Sequence, residues 1–153
     1  MKMYTDEDAS LEPLAGKIVA ILGYGNQGRA QALNLRDSGV TVLVGNRQDS
    51  YLEQARADGF EPVTLLEAAS AADFLFVLTT DESQPQIWDA QIAPGISAGK
   101  TLVWASGYNV GYGLIEPPPN VDVLLVAPRM TGNMVRTLFE NGKGAMSQGG
   151  VHQ

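Results

Sequence analysis

None of the 153 residues is cysteine and only one, His152, is histidine. Without cysteine there is no disulfide framework, no thiolate nucleophile and no cysteine metal site. The lone His152 stands in the terminal tail, so no Ser-His-Asp arrangement can be assembled around it. Cations are also few. Ten Lys and Arg face 17 Asp and Glu, and the net charge of −7 argues against partners such as nucleic acid or an anionic membrane surface. A local pocket for one phosphate is still compatible with that balance. No apolar run approaches the roughly 20 residues of a membrane span. The opening MKMYTDEDASLEPL is acidic and has no apolar h-region, so the expected compartment is the cytoplasm.

What is present is a globular composition, 44% apolar and 18% charged, enough to build one core. We expect a single domain over 1–153, with an N-terminal arm at 1–15 and a glycine-rich tail at 142–153 that shows no clear period. Residues 17–22 form an unbroken β-rich apolar run, the pattern of a strand buried on both faces. Similar runs at 41–44, 73–79, 101–105 and 121–127 predict further strands, with a short one at 62–64. Helices are expected at 27–37, 51–58, 66–72, 83–91 and 133–140, with Gly39 and Gly59 as stop signals. Strands alternating with short helices imply an α/β fold, Rossmann-like and doubly wound, with a mainly parallel sheet, helices on both faces and strand order 3-2-1-4-5-6.

Between the first strand and the first helix lies Gly23-Tyr24-Gly25-Asn26-Gln27-Gly28, a GxGxxG loop in the βαβ context that a dinucleotide site requires. Gly23 permits the tight turn, Gly25 the approach of a pyrophosphate, and Gly28 the packing of helix on strand. The helix start then offers free N–H groups to the phosphates. The bland alternative is a tight turn with no ligand.

The loop after the second strand, Gly45-Asn46-Arg47-Gln48-Asp49-Ser50, gives opposed signals. Asn46 holds the position where an NAD enzyme usually carries an acid. Arg47 and Ser50 suit a 2′-phosphate, whereas Asp49 would repel one and suits a bare ribose. Later strand ends carry three more polar clusters: 79–84, 106–109 and 128–133. Asp81 or Ser83 has the alternative of capping a helix, Asn109 that of supporting a turn, and Arg129 that of a plain surface salt bridge. Asp81 and Glu82 are adjacent and point apart on any regular element, so no metal site is expected.

The segments GYGNQGRAQALNLRDSG (23–39), ADGF (57–60), DESQ (81–84), SGYNV (106–110), PPPNVDVLLVAPR (117–129) and VHQ (151–153) carry a resemblance. Together they resemble the N-terminal nucleotide-binding domain of ketol-acid reductoisomerases, also called acetohydroxy acid isomeroreductases. The resemblance implies a magnesium-dependent alkyl migration in a 2-aceto-2-hydroxy acid, followed by reduction with NADPH or NADH, a step of branched-chain amino acid biosynthesis. It implies that Gly23, Gly25, Asn26, Gln27 and Gly28 lie at the pyrophosphate and Arg47, Asp49 and Ser50 at the adenosine ribose. It further implies Asp81, Gln84 and Gly107 along the cofactor; Tyr24 and Thr79 join that set as its neighbours.

The chain also departs from the family pattern. Ser106 stands where most members have histidine and Arg129 where many have lysine. Thr80 replaces a usual proline, and Thr131-Gly132-Asn133 a Pro-Gly-His run. These look like the marks of a minor branch, with Ser106 and Arg129 as the candidate catalytic residues. In the family a helical domain following VHQ supplies the acidic magnesium ligands and most of the substrate pocket. Magnesium is therefore expected only with such a domain, as is the small 2-keto or 2-hydroxy acid substrate. A homo-oligomer or a complex with a helical domain is the expected assembly. Two readings stand side by side: half of an oxidoreductase, with the nicotinamide near Ser106, or a dinucleotide-binding module with no catalysis of its own. A reductase of another carbonyl or imine is a third and weaker one.

Overall fold

The computed structural model describes residues 4, 5 and 7–153. The N-terminal arm of 1–15 is therefore covered only in part: residues 1–3 and 6 lie outside the described residues, and Glu12–Leu14 forms one 3-10 turn. Six strands build one sheet: β1 (Ile18–Leu22), β2 (Thr41–Gly45), β3 (Phe74–Val77), β4 (Thr101–Trp104), β5 (Asp122–Pro128) and β6 (Ser147–Val151). Their order is β2-β1-β3-β4-β5-β6, parallel throughout except that β6 runs antiparallel to β5.

The helices are α1 (Asn26–Asp37), α2 (Ser50–Ala57), α3 (Leu65–Ala71), α4 (Gln84–Ile87), α5 (Tyr108–Gly111) and α6 (Gly132–Glu140). They lie on both faces, as the parallel apolar strands require. On one face α1 and α2 cover Val19, Ile21 and Val44 through Ala32, Leu33 and Ala55. On the other, α3 and the turns after α4 cover Ala20, Leu22, Leu75, Leu102 and Trp104 through Ala68, Ala69, Trp88 and Ile92. Gly39 takes a left-handed φ of 82° and ends α1 where the sequence signals a stop.

Two expectations need correction. Residues 62–64 form no strand beyond a single parallel bridge between Val63 and Gly45. Thr64 instead caps α3 in a reciprocal box, its hydroxyl accepting from Glu67 N–H while Glu67 accepts from Thr64 N–H. Second, the tail is the sixth strand. Its glycines carry little β-propensity, but the open edge of β5 offers unpaired backbone groups. The tail fills them from Ser147 to Val151, and Gln153 is pinned to the carbonyls of Pro118 and Val121.

Asp58, just past α2, anchors the first face. It accepts from Arg29 Nε at 2.6 Å and Nη2 at 2.9 Å, and from the Tyr24 hydroxyl at 3.0 Å. The Arg29 bonds hold its carboxyl below the usual carboxylate range, against burial that raises it. Burial, and then the bond to Asp58, raises the Tyr24 phenol. On the second face the buried Lys100 ammonium donates to the carbonyls of Ala69, Ser70 and Ala72, closing the end of α3.

Because the folded Asp58 carboxyl lies below its unfolded value of about 3.9, its contribution is full above that pH and is lost as pH falls through the folded value. Asp58→Asn should therefore destabilise by about 1–2 kcal/mol near neutral pH, a figure kept low because the Arg29 guanidinium is partly solvated. Thermal melts of both proteins should converge as pH falls through the lowered folded value of Asp58. A stability difference that does not change with pH would remove Asp58 from this role.

Candidate dinucleotide site

The chain reverses direction at β1. From there it runs outward to β2, then crosses back over β1 to β3 and continues to β5. The carboxyl ends of β1 and β3 thus border the switch point where open α/β sheets bind ligands. Gly23 stands there with φ of 99°, its N–H bonded to Gly45 O at 2.8 Å. A Cβ on Gly23 would come within 2.8 Å of the Thr79 methyl. A Cβ on Gly28 would overlap the carbonyl oxygen of Gly23, so α1 approaches β1 as closely as backbone allows. Gly25, which caps α1, has open space on its Cβ side. Beside Gly23 the buried Thr79 hydroxyl has no hydrogen-bond partner. An uncrowded helix start, with an unmatched polar atom at the neighbouring strand end, fits a phosphate-bearing cofactor.

The other loop side chains act as ties. The Tyr24 ring is buried, edge-on to Phe60. Asn26 Oδ1 accepts from Gly132 N–H at 2.6 Å, and Gln27 Nε2 donates to Met130 O at 2.8 Å. Both fasten the glycine loop to the segment after β5. Neither tie is visible in the sequence, because each spans more than 100 residues.

At the end of β2, Asn46 is buried. Its Oδ1 accepts from Tyr24 N–H, and its amide donates to Asp49 and to Arg47 O. It braces the glycine loop instead of facing a ribose. Asp49 caps α2 through Tyr51 N–H and accepts from Arg47 Nε at 2.8 Å. Burial alone would raise its carboxyl, but the bonds from Arg47, Asn46 and Tyr51 outweigh this and hold it lower. Arg47 and Ser50 are exposed. A groove of about 750 Å³ runs from Gly25 and Asn26 past Ser50 and Tyr51, with Arg29 and Arg136 in its walls.

Beyond β3 and β4 the two strand-end loops are locked together. Ser106 Oγ donates to Asp81 Oδ2 at 2.9 Å, and Asn109 Nδ2 donates to Asp81 O at 2.9 Å. Gln84, buried, accepts from Asn109 Nδ2 and Trp104 Nε1 and donates to Thr79 O. Gln84 therefore faces no groove; it holds the loops that do. Asn109 and Trp104 were missed as site-forming residues. The only sign in the sequence was Asn109 within SGYNV, which also suited a turn. Gly107 is exposed with open space around it. Arg129 is exposed just after β5, and none of the ion pairs among the described residues includes it. Among the described residues no group of three or more His, Asp or Glu could hold a metal ion. None of their helices is long and apolar enough to cross a membrane.

A parallel sheet with a glycine loop at its switch point, feeding a helix start on one side and two braced loops on the other, defines a Rossmann-type NAD(P)H-binding domain. Residues 13–153 match the family model for the acetohydroxy acid isomeroreductase NADPH-binding domain. The chain belongs to the ketol-acid reductoisomerase family. It is 52% identical over 153 residues to the ketol-acid reductoisomerase (NADP(+)) of Pyrobaculum neutrophilum, spanning 99% of this chain and 47% of that protein. Identity to the Methanopyrus kandleri protein of the same name is 50% over 153 residues, again 99% of this chain and 47% of the other. An NADH-preferring ketol-acid reductoisomerase from an uncultured archaeon superposes with a TM-score of 0.98 at 38% identity, covering 100% of this chain and 48% of that one. The chain thus spans about half the length of the relatives it matches.

Two glycine substitutions should separate fold from site. Gly28→Ala should lower stability by about 1–3 kcal/mol, because the new methyl forces α1 off β1. Gly25→Ser keeps a capping residue and meets open space, so it should leave the melting temperature nearly unchanged while weakening NAD(P)H binding at least about tenfold. Calorimetry and thermal melts on both variants give the comparison; equal effects on fold and binding would refute it.

Proposed function

We propose that this chain is the cofactor half of a ketol-acid reductoisomerase that accepts NADH. The parent would isomerise and reduce 2-aceto-2-hydroxy acids in branched-chain amino acid biosynthesis, in the cytoplasm. In this reading the pyrophosphate lies on Gly23, Gly25, Gly28 and the α1 start, the adenosine ribose near Arg47, Asp49 and Ser50, and the nicotinamide past Thr79 and Asp81 toward Ser106 and Gly107. Arg129, exposed and outside the ion pairs given above, is the candidate cation for an anionic substrate.

The observation that carries the cofactor choice is the Arg47–Asp49 contact of 2.8 Å. A 2′-phosphate taken up by the Arg47 Nη groups would sit beside a carboxylate that the bonds from Arg47, Asn46 and Tyr51 favour in its charged form. A bare ribose meets no such repulsion and finds an acceptor. The NADH-preferring relative supports the same choice; the NADP(+) names of the two curated relatives point the other way.

Magnesium would polarise the substrate oxygens for alkyl migration. The described residues offer no ligand set for it, so we assign metal and most of the substrate pocket to a helical domain outside this domain of 1–153. The isolated chain is then a binding module without turnover, alone or in association with such a domain.

NADH and NADPH should each bind the chain with about micromolar Kd, as measured by calorimetry. Absence of binding of either to folded protein would end the cofactor assignment. Asp49→Ser, which retains a helix cap, should shift the affinity ratio toward NADPH by about tenfold; an unchanged ratio would place Asp49 outside the pocket. The purified chain with magnesium and NAD(P)H should not convert 2-acetolactate, and turnover would overturn the assignment of the metal to another domain.

A further inference from the structure

Ser106 replaces an imidazole with a hydroxyl, and a hydroxyl has one hydrogen to give and two lone pairs to offer. That hydrogen is already directed at Asp81 Oδ2, 2.9 Å away, and a carboxylate can only accept. One lone pair faces Tyr108 N–H at 3.3 Å. The hydroxyl is therefore left with a single open position, and that position accepts. The arrangement is stiff. Asp81 is held by Asn109 through its own carbonyl, Asn109 by Gln84, and Gln84 by Trp104 and Thr79, in buried and half-buried contacts at the ends of β3 and β4. Rotating the hydroxyl to donate elsewhere would leave the Asp81 oxygen without this partner.

The switch point fixes which part of a dinucleotide reaches this wall. With the pyrophosphate at the end of β1 and the adenosine toward β2, the other nucleoside runs toward β3 and β4. The nicotinamide carboxamide carries both an N–H2 donor and a carbonyl acceptor. Only the donor matches a hydroxyl whose hydrogen is held elsewhere.

We infer that Ser106, with its hydrogen held by Asp81, accepts a hydrogen bond from the carboxamide N–H of the nicotinamide, and that Asp81 is the positioning residue that sets this polarity. The inference rests on the dinucleotide reading proposed above. It makes Ser106 a reader of the cofactor's reactive end, not a proton donor to substrate.

Reduced 3-acetylpyridine adenine dinucleotide tests this, since it keeps the carbonyl and replaces the N–H2 by methyl. Calorimetry on the full chain should give NADH an affinity about three- to tenfold above that of the analogue, the worth of one neutral hydrogen bond. Ser106→Ala and Asp81→Ala should each bring that ratio close to one. ADP-ribose, which lacks the nicotinamide, should bind the three proteins alike and so reports on fold and on the adenosine half. A ratio near one in the parent chain, or a ratio that survives either substitution while ADP-ribose binding is intact, overturns the inference and leaves the dinucleotide reading standing. Failure of both ADP-ribose and NADH to bind the folded parent chain overturns the dinucleotide reading itself, and this inference with it.

Discussion

The structure depends on one close approach, that of the first turn of α1 to the end of β1. No side chain fits between Gly28 and the Gly23 carbonyl, and none fits between Gly23 and Thr79. Two glycines thus let a helix start, a parallel strand and the neighbouring strand end meet at backbone distance. Enlarging Gly28 pushes the helix off the sheet, so that its start no longer lies over the switch point, and enlarging Gly23 drives the loop into the end of β3 at Thr79. The amphipathic outer faces and the long crossovers all build on that contact.

Around this contact the site is held by amide side chains more than by ion pairs. Asn46 joins the glycine loop to the loop after β2, Asn26 and Gln27 join it to the segment after β5, and Gln84 and Asn109 join the loops after β3 and β4. Asn46, Gln27 and Gln84 each give and accept at once, while Asn26 accepts and Asn109 donates, so a single amide can join groups from two loops. Ion pairs in comparable positions would carry a larger desolvation cost and would alter the field at the phosphates. Of the charged contacts, Arg29 with Asp58 and Arg136 with Asp37 lie along the flanks of α1, and Arg47 with Asp49 lies in the loop after β2.

An acidic chain that binds an anionic cofactor needs local sources of positive potential. The α1 start supplies partial charge; Arg29 and Arg136 line the groove beside it, each already paired, with Asp58 and with Asp37 and Glu140. In the proposed reading Asp49 would work in the opposite sense near the adenosine ribose, and its capping of α2 ties that charge to the fold. Loop geometry and cofactor choice would thereby be coupled in one residue.

The periodicity of the sequence was enough to place β1 to β5, five of the helices and the glycine loop, because buried parallel strands and GxGxxG turns are encoded locally. The family segments in order along the chain identified the domain itself. Two things depended on tertiary structure. The tail became β6 only because β5 had an open edge; its glycines have no periodicity of their own. The strand expected at 62–64, by contrast, gave way to a local signal, the reciprocal cap between Thr64 and Glu67 three residues apart. The inward turn of Tyr24, Asn46 and Gln84 could not be read in advance, because each finds its partner 20 or more residues away. Which residues occupy the strand ends is local information. Whether a side chain there faces a ligand or braces a loop is decided by partners that only the folded sheet brings within hydrogen-bond distance.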